Sequence, residues 1–163
     1  MPAEFTIHDA PVAKIDPVTL YRLLALRVDV FVVEQKCAYR ELDGRDLEPH
    51  ARLIWAEAGE DVVATLRVLH DRGAGGSAEA VRIGRVATAP AARSSGLATV
   101  LMNRALSAAD HDYPEHDVVL DAQVRLAAWY GRFGFVSDGP DYDEDGIEHR
   151  PMRRRVRPVR SVD

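Results

Sequence analysis

The apolar residues of this chain recur with two periods, and these periods predict alternating helices and strands. Asp16 and Pro17 have the form of a helix N-cap followed by the first helical residue. The apolar residues after them are spaced three and four positions apart as far as about Val33, which predicts an amphipathic helix. Further helices are predicted at 95–109 and 126–133. Short apolar or alternating segments predict strands at 4–8, 51–57, 61–69, 81–88, 118–122, 134–136 and 148–156.

The order of these elements predicts the fold class. Three adjacent strands between residues 51 and 88 have no helices between them, and a half with alternating helices and strands follows. This order predicts an α/β (α+β) fold with a mixed, largely antiparallel twisted sheet flanked by helices. It disfavours a doubly wound parallel sheet. No internal repeat and no long linker divides the chain, so a single domain over residues 1–163 is expected, with a short basic tail from about residue 153.

Composition excludes several classes of protein. In 163 residues, 47% are hydrophobic and 29% are charged, which excludes a disordered or collagen-like chain. No apolar run approaches the roughly 18 residues of a membrane span. The acidic start at Glu4 does not resemble a secretory signal, and the single cysteine, Cys37, allows no internal disulfide. We therefore expect a cytoplasmic protein.

The distribution of charge indicates the kind of partner. The net charge is −5, but five arginines and one acid follow Met152, which leaves 16 bases and 25 acids before it. An acidic body with a short basic end is a poor nucleic-acid binder. It would attract a cationic substrate such as an amine.

The segment from Arg85 to Leu101 carries the strongest chemical signal. A predicted strand ends at Pro90, a short turn follows, and an apolar helix begins near Ser95. The unpaired N–H groups and the positive end of the dipole at such a helix start bind phosphate. The lysine of a P-loop and the glycines of the dinucleotide fingerprint are missing. Spacing alone does not decide between a phosphate-binding site and a purely structural strand, turn and helix, in which the small residues only allow close packing. The two interpretations are equally supported.

Two motifs resemble those of one family. The pattern Arg93-x-x-Gly96-x-Ala98 is similar to the acyl-CoA loop of the GCN5-related N-acetyltransferases (the GNAT family). The segment Ala127 to Phe135 resembles the last helix and strand of that family. Further matches, including 26–37 and Asp145-Gly146-Ile147-x-His149, are similar to its bacterial ElaA-type branch. Ser94 departs from the pattern, because a glycine commonly follows the arginine there, yet serine still permits a close approach.

The resemblance implies transfer of an acetyl or acyl group from acetyl-CoA to a primary amine, by direct attack in a ternary complex. It implies that the backbone of Val86 and Thr88 holds the pantetheine arm and that the N–H of Val86 or Ala87 polarises the thioester carbonyl. The implied cofactor-binding residues are Val86, Ala87, Thr88, Arg93, Ser94, Ser95, Gly96, Leu97, Ala98, Thr99 and Gln123. Two alternatives stay open. One is a non-catalytic acyl-CoA-binding regulator, and the other is a synthase of acyl-homoserine lactones that uses S-adenosylmethionine.

The resemblance also implies catalytic residues. Tyr130 matches the tyrosine that gives the leaving thiolate a proton. The identity of the general base that removes a proton from the amine is left open, and Glu34 and His149 are the first candidates. The other candidates are Glu41, Asp43, Asp46 and His50. A homodimer is common among relatives, whereas neither nucleic acid nor a membrane is expected as a partner.

Two other chemical functions, a nucleophilic cysteine and a calcium-binding loop, are disfavoured. Cys37 has only Lys36 nearby in sequence to lower its pKa, so a buried, unreactive cysteine is expected rather than a nucleophile. Residues 141–146 imitate the start of a calcium loop, but Met152 stands where the bidentate glutamate belongs. No metal is expected.

Overall fold

A computed structural model describes residues 4–73, 75 and 77–156. Within this part of the chain, the strands of one sheet lie in the order β1-β2-β3-β4-β5-β8-β6, and β7 pairs with β8. The strands are β1 (Thr6–Pro11), β2 (Arg52–Ala58), β3 (Asp61–Asp71), β4 (Ala80–Thr88), β5 (Asp117–Gln123), β6 (Val136–Ser137), β7 (Tyr142–Glu144) and β8 (Ile147–Arg154).

The first helix begins and ends for identifiable reasons. In α1 (Pro17–Arg27), the Asp16 carboxylate accepts hydrogen bonds from the N–H groups of Val18 and Thr19, at 3.1 and 3.0 Å. This confirms the predicted N-cap. The helix then widens into a π-helical segment, Val28–Glu34. Such widened turns are frequent at functional sites, and this one ends beside the end of β4.

Two helices cover the other face of the sheet. They are α2 (Leu97–Asp112) and the short α3 (Ala127–Gly131). Single turns of 3₁₀ helix lie at Val12–Lys14, Arg45–Leu47, Pro90–Ala92 and Val124–Leu126. In the described part of the chain, no helix is both long and apolar enough to cross a membrane.

The core has two layers, one on each face of the sheet. On one face α1 and the π-helical segment bury Leu23 and Phe31 against β2 and β3. On the other face α2 buries Leu101 and Met102 against the central strands, and Tyr130 joins this layer from α3. An amphipathic helix on each face of a sheet is what the two periods of the sequence predicted.

The pairing of strands confirms the predicted fold class. Neighbouring strands are antiparallel at every pairing except β4–β5, which is parallel. A mixed, largely antiparallel sheet flanked by helices is the result. The strand β7 was not predicted, because its sequence, Tyr142-Asp143-Glu144, is acidic. It forms through a tight hairpin with β8, where Asp145 and Gly146 have positive φ angles of 52° and 82°.

The basic residues that begin the expected tail belong largely to the sheet. Arg153 and Arg154 lie in β8 and form ion pairs with acids that include Asp138 and Asp110. Arg155 pairs with Asp117 at 3.3 Å. Residues 157–163 of the expected tail lie outside the described residues.

Candidate active site

The sheet opens between its two parallel strands. β4 and β5 pair only from Ala80 opposite Asp117 to Arg82 opposite Val119. Beyond this point the register with β3 shifts, so that two β4 residues, Arg85 and Val86, stand opposite one β3 residue. Arg85 takes a left-handed φ of 52°. A bulge of this kind turns a strand away from its neighbour, and a gap forms between β4 and β5.

A continuous groove occupies this gap. Its inner cavity measures about 410 Å³ and its middle cavity about 340 Å³, and the two share Val86 and Tyr130 in their walls. An outer cavity of about 380 Å³ shares Thr88 and Ala98 with the middle one. The groove therefore runs from the centre of the sheet to the start of α2.

The start of α2 forms the outer end of the groove. Leu97, Ala98 and Thr99 line the outer cavity and make up the first turn of the helix. The N–H groups of a first helical turn have no partner within the helix, and they lie at the positive end of its dipole. Small side chains leave this backbone accessible. These features fit the binding of a diphosphate.

The turn before α2 depends on two residues with left-handed backbone. Ser94 and Gly96 have φ angles of 62° and 83°. Only glycine adopts this conformation without cost, so Gly96 is required by the turn itself, and Ser94 is strained. The Ser95 hydroxyl donates to the Ala92 carbonyl at 2.6 Å and fixes the turn.

The hydrogen bonds of β4 determine which backbone groups face the groove. The N–H of Ala89 donates to the Val63 carbonyl at 2.8 Å. Alternate residues of a strand bond to the same neighbour, so Ala87, opposite Thr65, also bonds towards β3. The N–H of Ala87 is therefore directed at β3, the N–H and carbonyl groups of Thr88 point into the gap, and Val86 lies in the bulge that borders the gap. Of the two N–H groups considered for the thioester carbonyl, the geometry favours that of Val86 over that of Ala87.

Arg93 and Glu34 face each other across the middle of the groove. The Arg93 guanidinium donates to Glu34 at 2.7 Å and to the Thr88 carbonyl at 3.2 Å. The hydrogen bond from Arg93 lowers the pKa of the Glu34 carboxyl. Glu34 lines the middle cavity, and His149 lines the inner one. The structure thus separates the two first candidates for the base. Glu34 lies nearer to the start of α2, and His149 lies in the inner cavity.

The inner cavity is walled by charged side chains that are mostly paired with one another. Its acids include Asp43, which pairs with Arg67 at 2.9 Å, and Asp121, which pairs with Arg82 at 2.6 Å. Among the acids that line the cavity, Glu144 faces a histidine rather than an arginine, with its Oε2 4.0 Å from Nε2 of His149. Glu144 can therefore interact with an incoming ammonium group without giving up an arginine.

His149 is held in one orientation at this wall. It lies in β8, opposite both Gln123 of β5 and Tyr142 of β7, and its ring stacks on Tyr142 at 5.7 Å. Its Nδ1 lies 2.9 Å from the Ile147 carbonyl. A carbonyl only accepts, so Nδ1 carries the proton and Nε2 is left with a lone pair in the neutral ring. Nε2 is 4.0 Å from Glu144. The ring is set up to accept a proton at Nε2.

Tyr130 lies where the inner and middle cavities meet. Its ring makes edge-to-face contacts with Trp129 and Phe135, with centroids 4.8 and 6.3 Å apart. Burial raises the pKa of Tyr130 to about 12. The phenol is therefore protonated at neutral pH, as a proton donor must be.

Gln123 lines the inner cavity. Its amide N–H donates to the Gln35 side chain at 2.8 Å, and its oxygen accepts from Arg125 at 3.1 Å. It connects the end of β5 to the π-helical segment across the gap. This contact positions the wall of the groove.

The remaining candidates for the base are committed to other contacts. Glu41 and Asp46 are buried against arginines. Burial opposes ionisation of Asp43, but hydrogen bonds from Arg67 and from the Arg45 N–H outweigh it and lower the pKa to about 2. An acid with so low a pKa is a poor base.

Neither His50 nor Cys37 is among the residues that line the groove. His50 is exposed and lies outside the inner cavity. Cys37 is 2% exposed, and burial raises the pKa of its thiol. The expected burial of the cysteine is confirmed.

Sequence reasoning missed the arginines that build the inner wall. Arg27 is fully buried and donates to Glu41 and Asp46, both at 2.6 Å. Arg67 donates to Asp43 and, at 3.2 Å, to Asp46. A signal was present, since Arg27 continues the apolar spacing of α1 and Arg67 interrupts a run of buried β3 residues. Three acids in the segment after α1 were the available partners.

A split mixed sheet with a helix start at one end of the gap, and with a proton donor and acceptor further in, indicates the class of acyltransferases. Comparison with known proteins places the chain within this class. The family model described as acetyltransferase (GNAT) domain matches residues 24–156. The chain therefore belongs to the GNAT family, and its relatives place it in the ElaA-like branch.

The similar proteins are found in several bacteria. UPF0039 protein Rv2851c of Mycobacterium tuberculosis is 45% identical over 141 residues, 86% of each chain. A crystal structure of an acyl-CoA N-acyltransferase from Pseudomonas aeruginosa is 42% identical with a TM-score of 0.85, covering 93% of this chain and 99% of that one. The crystal structure of Escherichia coli ElaA is 36% identical with a TM-score of 0.84 and the same coverage. Family and fold together support an acyltransferase.

Proposed function

We propose that this protein transfers an acetyl group from acetyl-CoA to a primary amine by direct attack in a ternary complex. The observation that carries the proposal is the groove itself, which joins the start of α2 to Tyr130 and His149 through the gap between β4 and β5. We also propose that the chain acts as a single catalytic domain. Its location in the cytoplasm and a homodimer stay predictions from the sequence.

The outer and middle parts of the groove fit the donor. The first turn of α2 and the Arg93 guanidinium would hold the diphosphate. The backbone of Val86 and Thr88 would pair with the pantetheine amides as an added strand does. Arg93 would exchange its contacts with Glu34 and Thr88 for the diphosphate. When bound, acetyl-CoA supplies a thioester whose carbonyl carbon accepts the amine nitrogen.

The inner cavity holds the groups that move protons. The bound ammonium would first lose one proton to solvent, which frees the nitrogen lone pair for attack. Nε2 of His149 would remove the second proton as the new C–N bond forms and the C–S bond breaks, Glu144 would stabilise the imidazolium, and the ring would then pass its proton to solvent. The N–H of Val86 would stabilise negative charge on the carbonyl oxygen. The Tyr130 hydroxyl would give its proton to the departing sulfur, and solvent would restore that proton. Each proton has one origin and one acceptor.

The acceptor is proposed to be cationic before it reacts. Amines are protonated at neutral pH, the part of the chain before residue 153 carries excess acid, and Glu144 lies at the cavity wall beside His149 rather than beside an arginine. The arginines of the wall are occupied by Asp43, Asp71 and Asp121. The cavity therefore favours an amine over an anionic acceptor.

The test is a thiol-release assay with acetyl-CoA and a panel of primary amines, with mass spectrometry of the amine product. We expect amine-dependent thiol release and an acetylated product. Acetyl-CoA binding without turnover on any amine, peptide or lysine acceptor would favour the non-catalytic regulator. Thermal stabilisation by S-adenosylmethionine and none by acetyl-CoA would contradict the choice of donor.

A further inference from the structure

Three side chains capable of binding a metal converge where three central strands, β3, β4 and β5, begin or end, on the face of the sheet opposite the inner cavity. They are His70 near the end of β3, Glu79 just before β4, and His116 between α2 and β5. Arg67, Leu69 and Asp71 of β3 line the inner cavity. Because successive residues of a strand point to opposite faces, His70 lies on the α2 side.

The distances within this cluster match those between the ligands of a tetrahedral metal ion. Nε2 of His70 is 3.5 Å from Glu79 Oε2, and Nε2 of His116 is 3.1 Å from the same oxygen. One ligand atom from each of the three residues lies within 4.8 Å of the others. Bonds of about 2.0–2.1 Å to a tetrahedral zinc ion place neighbouring ligand atoms about 3.3 Å apart. A small contraction would bring all three atoms to bonding distance.

Aromatic contacts hold both imidazole rings in place, and one buried nitrogen of each ring has no hydrogen-bond partner among the described residues. His70 stacks on Tyr113 at 4.9 Å, and His116 meets the same ring edge-on at 5.7 Å. Nε2 of His70 is buried without a hydrogen-bond partner in the described part of the chain. A buried polar atom without a partner is costly, and a metal ion would satisfy it.

We propose that His70, Glu79 and His116 bind a zinc ion, with water as the fourth ligand. Two imidazoles and one carboxylate are ligands that Zn²⁺ takes in proteins. The Glu79 side chain is 52% exposed, so the ion can enter from solvent. Spacing along the chain does not reveal this site, because its ligands come from three separate segments.

The zinc ion would act as a structural cross-link. It would tie the β3–β4 connection to the segment between α2 and β5, and none of its three ligands lines the groove. Zinc should therefore raise the melting temperature without being required for acetyl transfer. This proposal is independent of the proposed function, since it concerns the other face of the sheet.

The test is calorimetric titration of ZnCl₂ into untagged protein that has been treated with a chelator. We expect one equivalent to bind. Affinity should fall by more than about tenfold in Glu79→Gln and in His116→Ala, since removing even an indirect partner of a metal site costs about that much. His111→Ala removes an exposed histidine from α2 and should bind as the wild type does. Glu79→Gln keeps the shape of an exposed residue, so it remains informative if His116→Ala does not fold.

A second readout reports the geometry. Co²⁺ in place of Zn²⁺ should give the intense visible absorption of a tetrahedral ion, and Glu79→Gln should reduce it. The proposal is overturned if zinc does not saturate the wild-type protein, or if Glu79→Gln binds zinc as tightly as His111→Ala. An octahedral cobalt spectrum would equally contradict the assigned ligands.

Discussion

Replacing Arg27 with methionine is expected to destabilise the fold and to disturb the wall of the inner cavity. The guanidinium is fully buried and donates to Glu41 at 2.6 Å and to Asp46 at 2.6 and 3.1 Å. Methionine fills part of the same space but donates nothing, so both carboxylates lose their main donor. A buried ion pair that loses one partner costs about 3–5 kcal/mol.

The neighbouring arginines reduce this cost. Asp46 keeps a hydrogen bond from Arg67 at 3.2 Å. Nε of Arg85 lies 3.0 Å from Oε2 of Glu41. This contact is an ion pair, but the two groups are not aligned for a hydrogen bond. We therefore expect a loss near the lower end, about 3 kcal/mol. For a chain of this size that corresponds to a fall in Tm of roughly 6–12 °C.

The assay is urea unfolding followed by tryptophan fluorescence, with Arg22→Met as the matched control. Arg22 lies on the same helix, is exposed, and donates to the Glu60 carbonyl at 2.9 Å. Its replacement should cost less than about 1 kcal/mol. In Arg27→Met the KM for the amine should rise, while the Kd for acetyl-CoA should stay the same. Equal stability of the two variants would refute the view that this ion cluster holds the segment after α1.

Three further predictions concern the two groups proposed to move protons and the loss of folding stability at low pH. Tyr130→Phe should lower kcat about a hundredfold or more with an unchanged acetyl-CoA Kd, and Tyr21→Phe, at an exposed tyrosine, should change neither. His149→Gln should lower kcat, and added imidazole should restore part of it; no loss, or a loss that imidazole does not relieve, would exclude the base role. The pKa of Asp43 is lowered from near 3.8 to about 2, so its stabilisation is complete above pH 3.8 and is lost as pH falls towards 2. In urea unfolding, Asp43→Asn should be less stable than the wild type at pH 7, and the difference should shrink across that window; a constant difference would contradict it.

Local signals in the sequence predicted most of the fold. The Asp16-Pro17 start of α1, the alternating strands and the apolar spacing of α2 each act over a few neighbouring residues, and the structure has all of them. The bulge at Arg85 was not predictable in this way. It depends on how β4 fits against β3. Gly84 beside it is the one local sign, since a glycine inside a strand often marks a bulge, but it does not show that Arg85 takes the left-handed conformation.

The candidate site was predictable only where a motif carried it. The loop from Arg93 to Ala98 and the position of Tyr130 followed from the family resemblance. The tautomer of His149 depends on the Ile147 carbonyl, and the ion cluster joins Arg27 to residues 14 and 19 positions later. Such contacts are set by tertiary packing, so spacing along the chain does not reveal them.

The proposed function requires that the groove ending at α2 binds acetyl-CoA. Calorimetric titration of acetyl-CoA should be made into the wild type, Ala98→Glu and Val100→Glu. Ala98 lines the groove, whereas Val100 is an exposed residue of the same helix, so both variants place one negative charge near its start. We predict a wild-type Kd between about 1 μM and 1 mM, a loss of at least about tenfold in Ala98→Glu, and little change in Val100→Glu. No binding by the wild type, or an equal effect of the two charges, would contradict the account.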